Sequence, residues 1–265
     1  MNVSLRYAIV NVVKLTEEEI SRGLKIGIVN RTLFPVLCGN SSGNIGMGLF
    51  LDFLVGGMPG PSETEAPEGQ KADSEEAVKL APSPEGPPAA VVFKTISESV
   101  GDLSFLRVYS GTLRPGDDVF NASLKTNERI GQIYSLNGRD RDEMEVLCAG
   151  DIGALIKLRD THTGNTICAK NFPLVLPLLE FPHPLIRIAL EPKSRGDEEK
   201  IGSGLQRIHE EDPSFISGYD PELRQIIVEG QGELHLDVVL QKLKGKFGVE
   251  VDTIEPRIPY REAIT

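Results

Sequence analysis

Residues 104–120 (SFLRVYSGTLRPGDDVF) constrain the fold more than any other stretch, because they combine strict alternation with a turn signature. Two sets of side chains alternate and would lie on opposite faces of a strand: Phe105, Arg107 and Tyr109 on one face, and Leu106, Val108 and Ser110 on the other. Residues 114–117 (RPGD) are typical of a type II turn, since proline presets the first central φ and glycine allows a positive φ at the second. The return strand would begin at residues 119–120, so the sequence predicts a tight antiparallel β unit.

The overall composition is that of a soluble globular protein. The 265 residues, with 40% hydrophobic and 25% charged side chains, allow roughly one to three domains. No apolar run approaches the length of a membrane span, and the first residues lack the pattern of a signal peptide. Cys38, Cys148 and Cys168 are far apart and the four histidines do not cluster, so neither a disulfide framework nor a metal site is visible. We therefore expect a cytoplasmic protein with no membrane segment and no metal.

Residues 59–88 are rich in proline and in acidic residues. They contain seven prolines and almost no large apolar side chains, a composition that predicts an acidic, extended linker. The net charge of −11 argues against nucleic-acid binding when it is averaged over the chain. Because many of the acidic residues are concentrated in this linker, the net charge does not argue against a basic surface elsewhere on the chain.

The residues before the linker have an α/β pattern. Thr16 followed by Glu19 is a capping-box signature and predicts a helix start. Residues 34–38 (FPVLC) predict a short buried strand. An apolar helix follows at residues 47–55 and ends at two glycines. Residues 1–58 are therefore interpreted as the end of an α/β domain.

Two further domains are predicted after the linker. Residues 89–180 contain short apolar strands separated by turn residues and no helical stretch, which favours a small antiparallel β-barrel. Residues 181–256 follow the order β-α-β-β-α-β of a ferredoxin-like α+β domain, with helices after Asp197 and from Glu233 to Phe247.

Several long motifs resemble the bacterial translational GTPase elongation factor G, in the same order along the chain. They are FPVLCGNSSGNIG at 34–46, VFKT at 92–95, LSFLRVYSGTLRPGD at 103–117, ERIGQIY at 128–134, AGDIGAL at 149–155, THTGNTIC at 161–168, EFPHPLIRIALEPKS at 180–194, EEDPSF at 210–215, GQGELHLDVVLQKLKGKFGVEV at 230–251 and PYREAIT at 259–265. The resemblance covers nearly the whole chain except the acidic linker.

The resemblance implies an internal fragment of a longer protein. Residues 1–58 would be the C-terminal piece of the GTPase domain, 89–180 the barrel of domain II (of the translation-factor type), 181–256 domain III and 257–265 the start of domain IV. The full-length family binds GTP and Mg²⁺ and promotes GTP-dependent tRNA–mRNA translocation on the ribosome, where it meets rRNA and a small-subunit protein. We expect this fragment to be monomeric and to act as a ribosome-binding and interdomain relay module.

Catalysis is not expected from this chain by itself. It contains neither a G-x-x-x-x-G-K-[ST] loop nor an N-K-x-D stretch, and phosphoryl transfer needs the loop amides, the lysine and a Mg²⁺ ligand. We therefore expect no catalytic residue and no cofactor in the fragment. Two alternatives stay open: a ribosome-recycling or ribosomal-protection paralogue of the same family, and a stand-alone module that binds RNA or protein.

The candidate site residues fall into three groups. Gly39, Asn40 and Ser41 replace the Gly-Ser-Ala loop that contacts guanine in the family, and a loop leading into the next helix is the simpler interpretation. The second group consists of barrel cations that would contact rRNA, or would be solvated surface charges: Arg107, Lys125, Arg129, Arg139 and Arg141. The third is the helix start Gly230, Gly232, Glu233 and His235, an interdomain loop that can bind an anion or form a tight strand-to-helix turn.

Overall fold

The computed structural model describes residues 15–64, 67–72, 74, 76–98, 101–177, 179–194 and 196–259. The chain divides into two compact units, Met1–Ala66 and Pro67–Thr265. The predicted start of a fourth domain, residues 257–265, lies largely outside the described residues.

The described part of the first unit contains two α-helices, both of which the sequence predicts, and a short 3₁₀ helix at Pro61–Glu63. Helix α1 (Glu17–Val29) starts with the predicted capping box: the Glu19 amide donates to Thr16 Oγ1 at 3.3 Å, and the Thr16 amide donates to Glu19 Oε2 at 2.9 Å. Helix α2 (Met47–Gly57) follows Gly46, whose φ of 76° suits glycine, and ends at the predicted glycines.

The buried strand predicted at residues 34–38 is wrong. The segment has no strand geometry, and Phe34 and Val36 are 79% and 90% exposed. A strand is stabilised by a neighbouring strand, and in the described part of this unit the only β pairing is the bridge between Asn40 and Ile45. An apolar run without a pairing partner therefore stays irregular here.

The second unit is mostly β structure, with strands numbered in chain order. They are β1 (Glu68–Lys71), β2 (Ala77–Lys79), β3 (Ala89–Glu98), β4 (Gly101–Ser110), β5 (Thr112–Leu113), β6 (Asp118–Asn121), β7 (Thr126–Arg129), β8 (Ile133–Asn137), β9 (Asp140–Met144), β10 (Leu147–Cys148), β11 (Ile152–Ile156), β12 (Thr166–Cys168), β13 (Leu174–Val175), β14 (Ile186–Pro192), β15 (Ile216–Asp220), β16 (Gln225–Gly230) and β17 (Val251–Ile254). Helices α3 (Glu198–Glu211) and α4 (Glu233–Phe247) complete it.

Two strands occupy the segment that the composition predicts to be an extended linker. Strands β1 and β2 form a three-stranded antiparallel sheet with β13. Gly69 of β1 is buried, and an added Cβ would lie 2.3 Å from Leu174 Cδ1, so the Leu174 side chain packs directly on the Gly69 backbone. The acidic composition gives no strand signal, and these strands form because β1 pairs with β13, a partner about a hundred residues away.

Residues 89–168 form the predicted antiparallel barrel. Its main sheet has the order β7-β6-β12-β3-β4-β11-β8-β9, and β5 pairs separately with β10. The predicted alternation is confirmed, since Leu106 and Val108 are fully buried in the barrel core whereas Phe105, Arg107 and Tyr109 remain partly exposed.

The predicted turn exists, but the predicted pairing across it is wrong. Gly116 has a φ of 91°, and the Asp117 amide donates to the Arg114 carbonyl at 3.2 Å. The return strand β6 does not pair with β4; it pairs with β7 and β12, while β4 pairs with β3 and β11. Gly111, with a φ of 73°, turns the chain out of β4 so that β5 can reach β10.

The predicted ferredoxin-like domain is confirmed. Its four-stranded sheet has the order β15-β16-β14-β17, and α3 and α4 cover it around a core that includes Leu205, Val228 and Leu243. Gly204 allows the helices to approach, because a Cβ there would lie 2.7 Å from Leu243 Cδ1. Asp197 precedes α3 as predicted, but its carboxylate accepts from Lys200 at 2.9 Å and makes no capping hydrogen bond.

Candidate interdomain interface

The barrel presents two short segments to the ferredoxin-like domain: the end of β3 and the loop between β11 and β12. Buried side chains fix that loop. Glu128 is 5% exposed and accepts from the Asp160 amide at 2.7 Å and from Thr161 Oγ1 at 3.0 Å. Asn121, fully buried, donates to the Asp160 carbonyl at 3.1 Å. The loop is therefore held in one position before it meets the other domain.

Glu211, at the end of α3, is the centre of the contact. Its carboxylate accepts from the Ser97 amide of β3 at 2.9 Å and from Lys242 at 3.3 Å, and it pairs with Lys246. Lys246 also donates to the Ser97 carbonyl at 3.4 Å. Burial raises the pKa of Glu211, but hydrogen bonds from Lys246 and Ser97 lower it by more, so its pKa lies below the ordinary glutamate value. The carboxylate is thus held ionised between the domains.

A second set of contacts flanks Glu211. His162 Nδ1 in the β11–β12 loop lies 2.6 Å from Glu210 Oε2, and Thr163 Oγ1 donates to the Glu210 carbonyl at 3.3 Å. Arg207 of α3 donates to the Glu98 carbonyl at 3.1 Å. These polar contacts fix where the end of α3 lies on the barrel.

The predicted helix-start loop is linked to the same end of α3. The Gln231 amide donates to His235 Nδ1 at 3.0 Å, so this nitrogen is the acceptor and Nε2 carries the proton that points to Asp212 Oδ2 at 3.1 Å. Burial raises the pKa of Asp212, but hydrogen bonds from Ser214 and His235 lower it further, and the net pKa is below the ordinary aspartate value. Asp212 directly follows Glu211, so His235 is one residue removed from the interface.

The glycines of this loop serve the strand-to-helix turn. Gly230 ends β16, and a Cβ there would lie 2.7 Å from Leu236 Cδ2. Gly232 precedes α4 with a φ of 173°, an extended conformation open to any residue, and Glu233 lies in the first helical turn, where a negative charge is favourable. The His235 contacts agree with a local structural role.

Two family models and one solved structure match this chain. A family model described as elongation factor G domain 2 matches residues 87–170, and one described as elongation factor G domain III matches residues 181–255. These two domains belong to the elongation factor G family. A crystal structure of a protein from Thermus thermophilus matches 98% of this chain with 28% sequence identity and a TM-score of 0.77. The chain spans 37% of the length of that protein. The barrel is thus domain II and the ferredoxin-like domain is domain III.

The predicted rRNA-contact residues lie on different hairpins of domain II. Lys125 and Arg129 lie at opposite ends of the β6–β7 hairpin, whereas Arg139 and Arg141 belong to the β8–β9 hairpin. Arg141 pairs with Glu98 at 2.5 Å, a hydrogen bond that raises the pKa of Arg141. The contact with rRNA stays a prediction.

Arg107 has a distinct environment. Its guanidinium lies 5.3 Å from the centre of the Tyr109 ring, and its Nε is buried without a hydrogen-bond partner among the described residues. A cation over an aromatic face is stabilised by the ring quadrupole. Arg107 is therefore partly engaged within domain II.

The guanine-loop remnant is a closed turn in this structure. The Asn40 amide donates to the Ile45 carbonyl at 3.0 Å, and Asn40 Oδ1 accepts from the Gly43 amide at 3.1 Å. Gly39 and Ser41 flank this residue and are exposed. The Asn40 amide is thus used inside the loop, and nucleotide binding at Gly39, Asn40 and Ser41 stays a prediction.

The residues that join the two domains were not predicted from the sequence: Ser97, His162, Glu210, Glu211 and Lys246. One signal was present. Glu210 and Glu211 end α3, where negative charge is unfavourable because the carbonyl end of the helix dipole is itself negative. Acids at a helix C-terminus indicate that cations or amides from elsewhere satisfy them.

No group of three or more His, Cys, Asp and Glu residues in the described ranges could hold a metal ion. No helix among the described residues is long and apolar enough to span a membrane.

Proposed function

We propose that the chain is part of an elongation factor G-like translational GTPase that promotes GTP-dependent tRNA–mRNA translocation, and that domains II and III act as its ribosome-binding and relay modules. The observation that carries the proposal is the consecutive match of domains II and III in a chain that spans 37% of a longer relative. GTP, Mg²⁺ and the ribosome are ligands of the whole protein in this proposal.

The interface supports the relay part of the proposal. A path of direct contacts runs from the helix-start loop through His235 and Asp212 to the end of α3, and from Glu211 to Ser97 of domain II. Its members are charged or hydrogen-bonded, so a small displacement breaks specific contacts and does not merely deform an apolar core. A movement at either end is therefore transmitted as a change in how domain III docks on domain II.

The experiment is a translocation assay with the whole protein that contains this chain. Pretranslocation ribosomes carrying a fluorescent mRNA would be mixed with the protein and GTP, and mRNA movement by one codon would be followed in single-turnover conditions. We expect movement with GTP and none with GDP. Ribosome splitting without mRNA movement would contradict the proposal and favour the recycling paralogue.

A further inference from the structure

A groove in domain III lies between helix α3 and the outer strand β15. Its volume is about 730 Å³, within the range of about 300–1,000 Å³ that is common for ligand-binding clefts. It extends from Ile216, which pairs with Glu229 next to the helix-start loop, to Gln225 and Leu190 nearer the other ends of the strands.

The groove exposes the edge of a β-sheet. Strand β15 is the outer strand in the order β15-β16-β14-β17, and the consecutive residues 216–219 all line the groove. Side chains alternate along a strand, so four consecutive lining residues mean that both faces of β15 and its backbone contribute to the groove, which Leu190 of β14 and Ile226 of β16 also line. These residues make no backbone hydrogen bond with any other described residue outside the pairing with β16. An unpaired edge is a template for another strand.

Two glycines leave room for a backbone along this edge. Gly218 lies in β15, and Gly202 lies on the facing side of α3. A Cβ added at either position would meet no atom within 4 Å. The wall on the helix side is otherwise apolar through Leu205, and Ile226 contributes apolar surface from β16.

One end of the groove holds a buried donor that has no partner among the described residues. Gln225 is 6% exposed; its Oε1 accepts from the Arg257 amide at 2.8 Å, while its Nε2 has no partner among the described residues. The exposed Arg224 and Arg257 line the same region, with Glu191 and Glu198 on the walls formed by β14 and α3. A carboxylate placed near Gln225 and the two arginines would complement these donors.

We propose that this groove binds an extended peptide that adds as a strand to β15 and places a carboxylate near Gln225, Arg224 and Arg257. Backbone hydrogen bonds to the strand edge supply affinity, and the apolar wall and the donors select the sequence. The site is independent of the translocation proposal, since it uses neither the domain II–III interface nor the helix-start loop.

The test is a selection of random nine-residue peptides, displayed on phage, against the full chain. Gly202→Leu fills the groove from α3, and Gly245→Leu is the matched control, because Gly245 also lies in a helix, is exposed, and has open space at its Cβ. Circular dichroism would confirm that both variants fold. We expect enriched peptides to alternate apolar and polar residues, to contain an acidic residue, and to bind at least tenfold more weakly to Gly202→Leu but equally to Gly245→Leu.

Two further measurements complete the test. In NMR titrations, a selected peptide should shift the amides of residues 216–219 and slow their hydrogen exchange, and its acid-to-amide analogue should bind at least threefold more weakly. Failure to enrich any peptide above the Gly202→Leu counter-selection would overturn the proposal. The proposal would also be overturned if selected peptides left the amide signals of β15 unchanged, or if the acid-to-amide analogue bound as tightly as the parent peptide.

Discussion

Replacing Glu211 with glutamine tests how domain III is held on domain II. The glutamate side chain is 8% exposed and its carboxylate joins the Ser97 amide, Lys242 and Lys246. Glutamine keeps the shape but removes the charge, which leaves two lysines without their shared partner. Breaking a buried ion pair costs about 3–5 kcal/mol, and because the lysines retain 35% and 39% exposure the cost here should be somewhat smaller, about 2–3 kcal/mol.

The assay is urea denaturation of the chain, combined with hydrogen exchange at Ser97. Glu250→Gln is the control, since Glu250 pairs with Lys244 and Lys193 but is half exposed on the surface of domain III. We expect Glu211→Gln to lower the free energy of unfolding and to speed exchange of the Ser97 amide, and Glu250→Gln to leave both unchanged. Equal effects of the two substitutions would mean that the Glu211 carboxylate does not hold domain III on domain II.

The pH dependence of this contact follows from the lowered pKa of Glu211. A carboxyl whose folded pKa lies below its unfolded value, about 4.3 for glutamate, stabilises the fold above that value. The contribution is lost as the pH falls through the lowered folded pKa. Below about pH 4.3 the unfolding free energies of wild type and Glu211→Gln should therefore converge, whereas at pH 7 they should differ in full.

The remaining predictions concern two glycines of domain II and the relative reactivity of two cysteines. Gly111→Ala should destabilise the chain by about 2–5 kcal/mol in urea denaturation, because its φ is 73° and the added Cβ would lie 2.5 Å from Pro88 N. Gly116→Ala, with positive φ but open space, should cost about 1–2 kcal/mol, and an equal loss in both would argue against the close approach. Burial raises the pKa of the Cys168 thiol, so a thiol reagent at pH 8 should label the exposed Cys38 at least tenfold faster than Cys168. Equal labelling rates would mean that the barrel opens readily.

Helices and strands were predicted well where the signal that forms them lies within a few consecutive residues. The capping box of Thr16 and Glu19, the alternation around Leu106 and the helix from Glu233 to Phe247 all appear as predicted. Strand β9 was not predicted, because its residues (DRDEM) are mostly charged and show no apolar alternation. It forms because the turn at Gly138 brings it into pairing with β8.

Pairing and interdomain contact were less predictable, because both join residues that are distant in sequence. The β4–β6 hairpin looked plausible from the Pro-Gly turn, yet Gly111 redirects the chain before the turn is reached. The helix-start loop around His235 was predicted from its motif. Ser97 and Glu211 were not, since they are 114 residues apart and neither carries a local signal of the other.

The most direct test of the relay is the translocation rate of the whole protein carrying Glu211→Gln. We expect ribosome-stimulated GTP hydrolysis to be retained while single-turnover mRNA movement slows at least tenfold, a change of about 1.4 kcal/mol in the barrier. Glu250→Gln should move mRNA at the wild-type rate. Unchanged movement in Glu211→Gln, with the Ser97 contact shown to be lost, would contradict the claim that this interface couples the two domains.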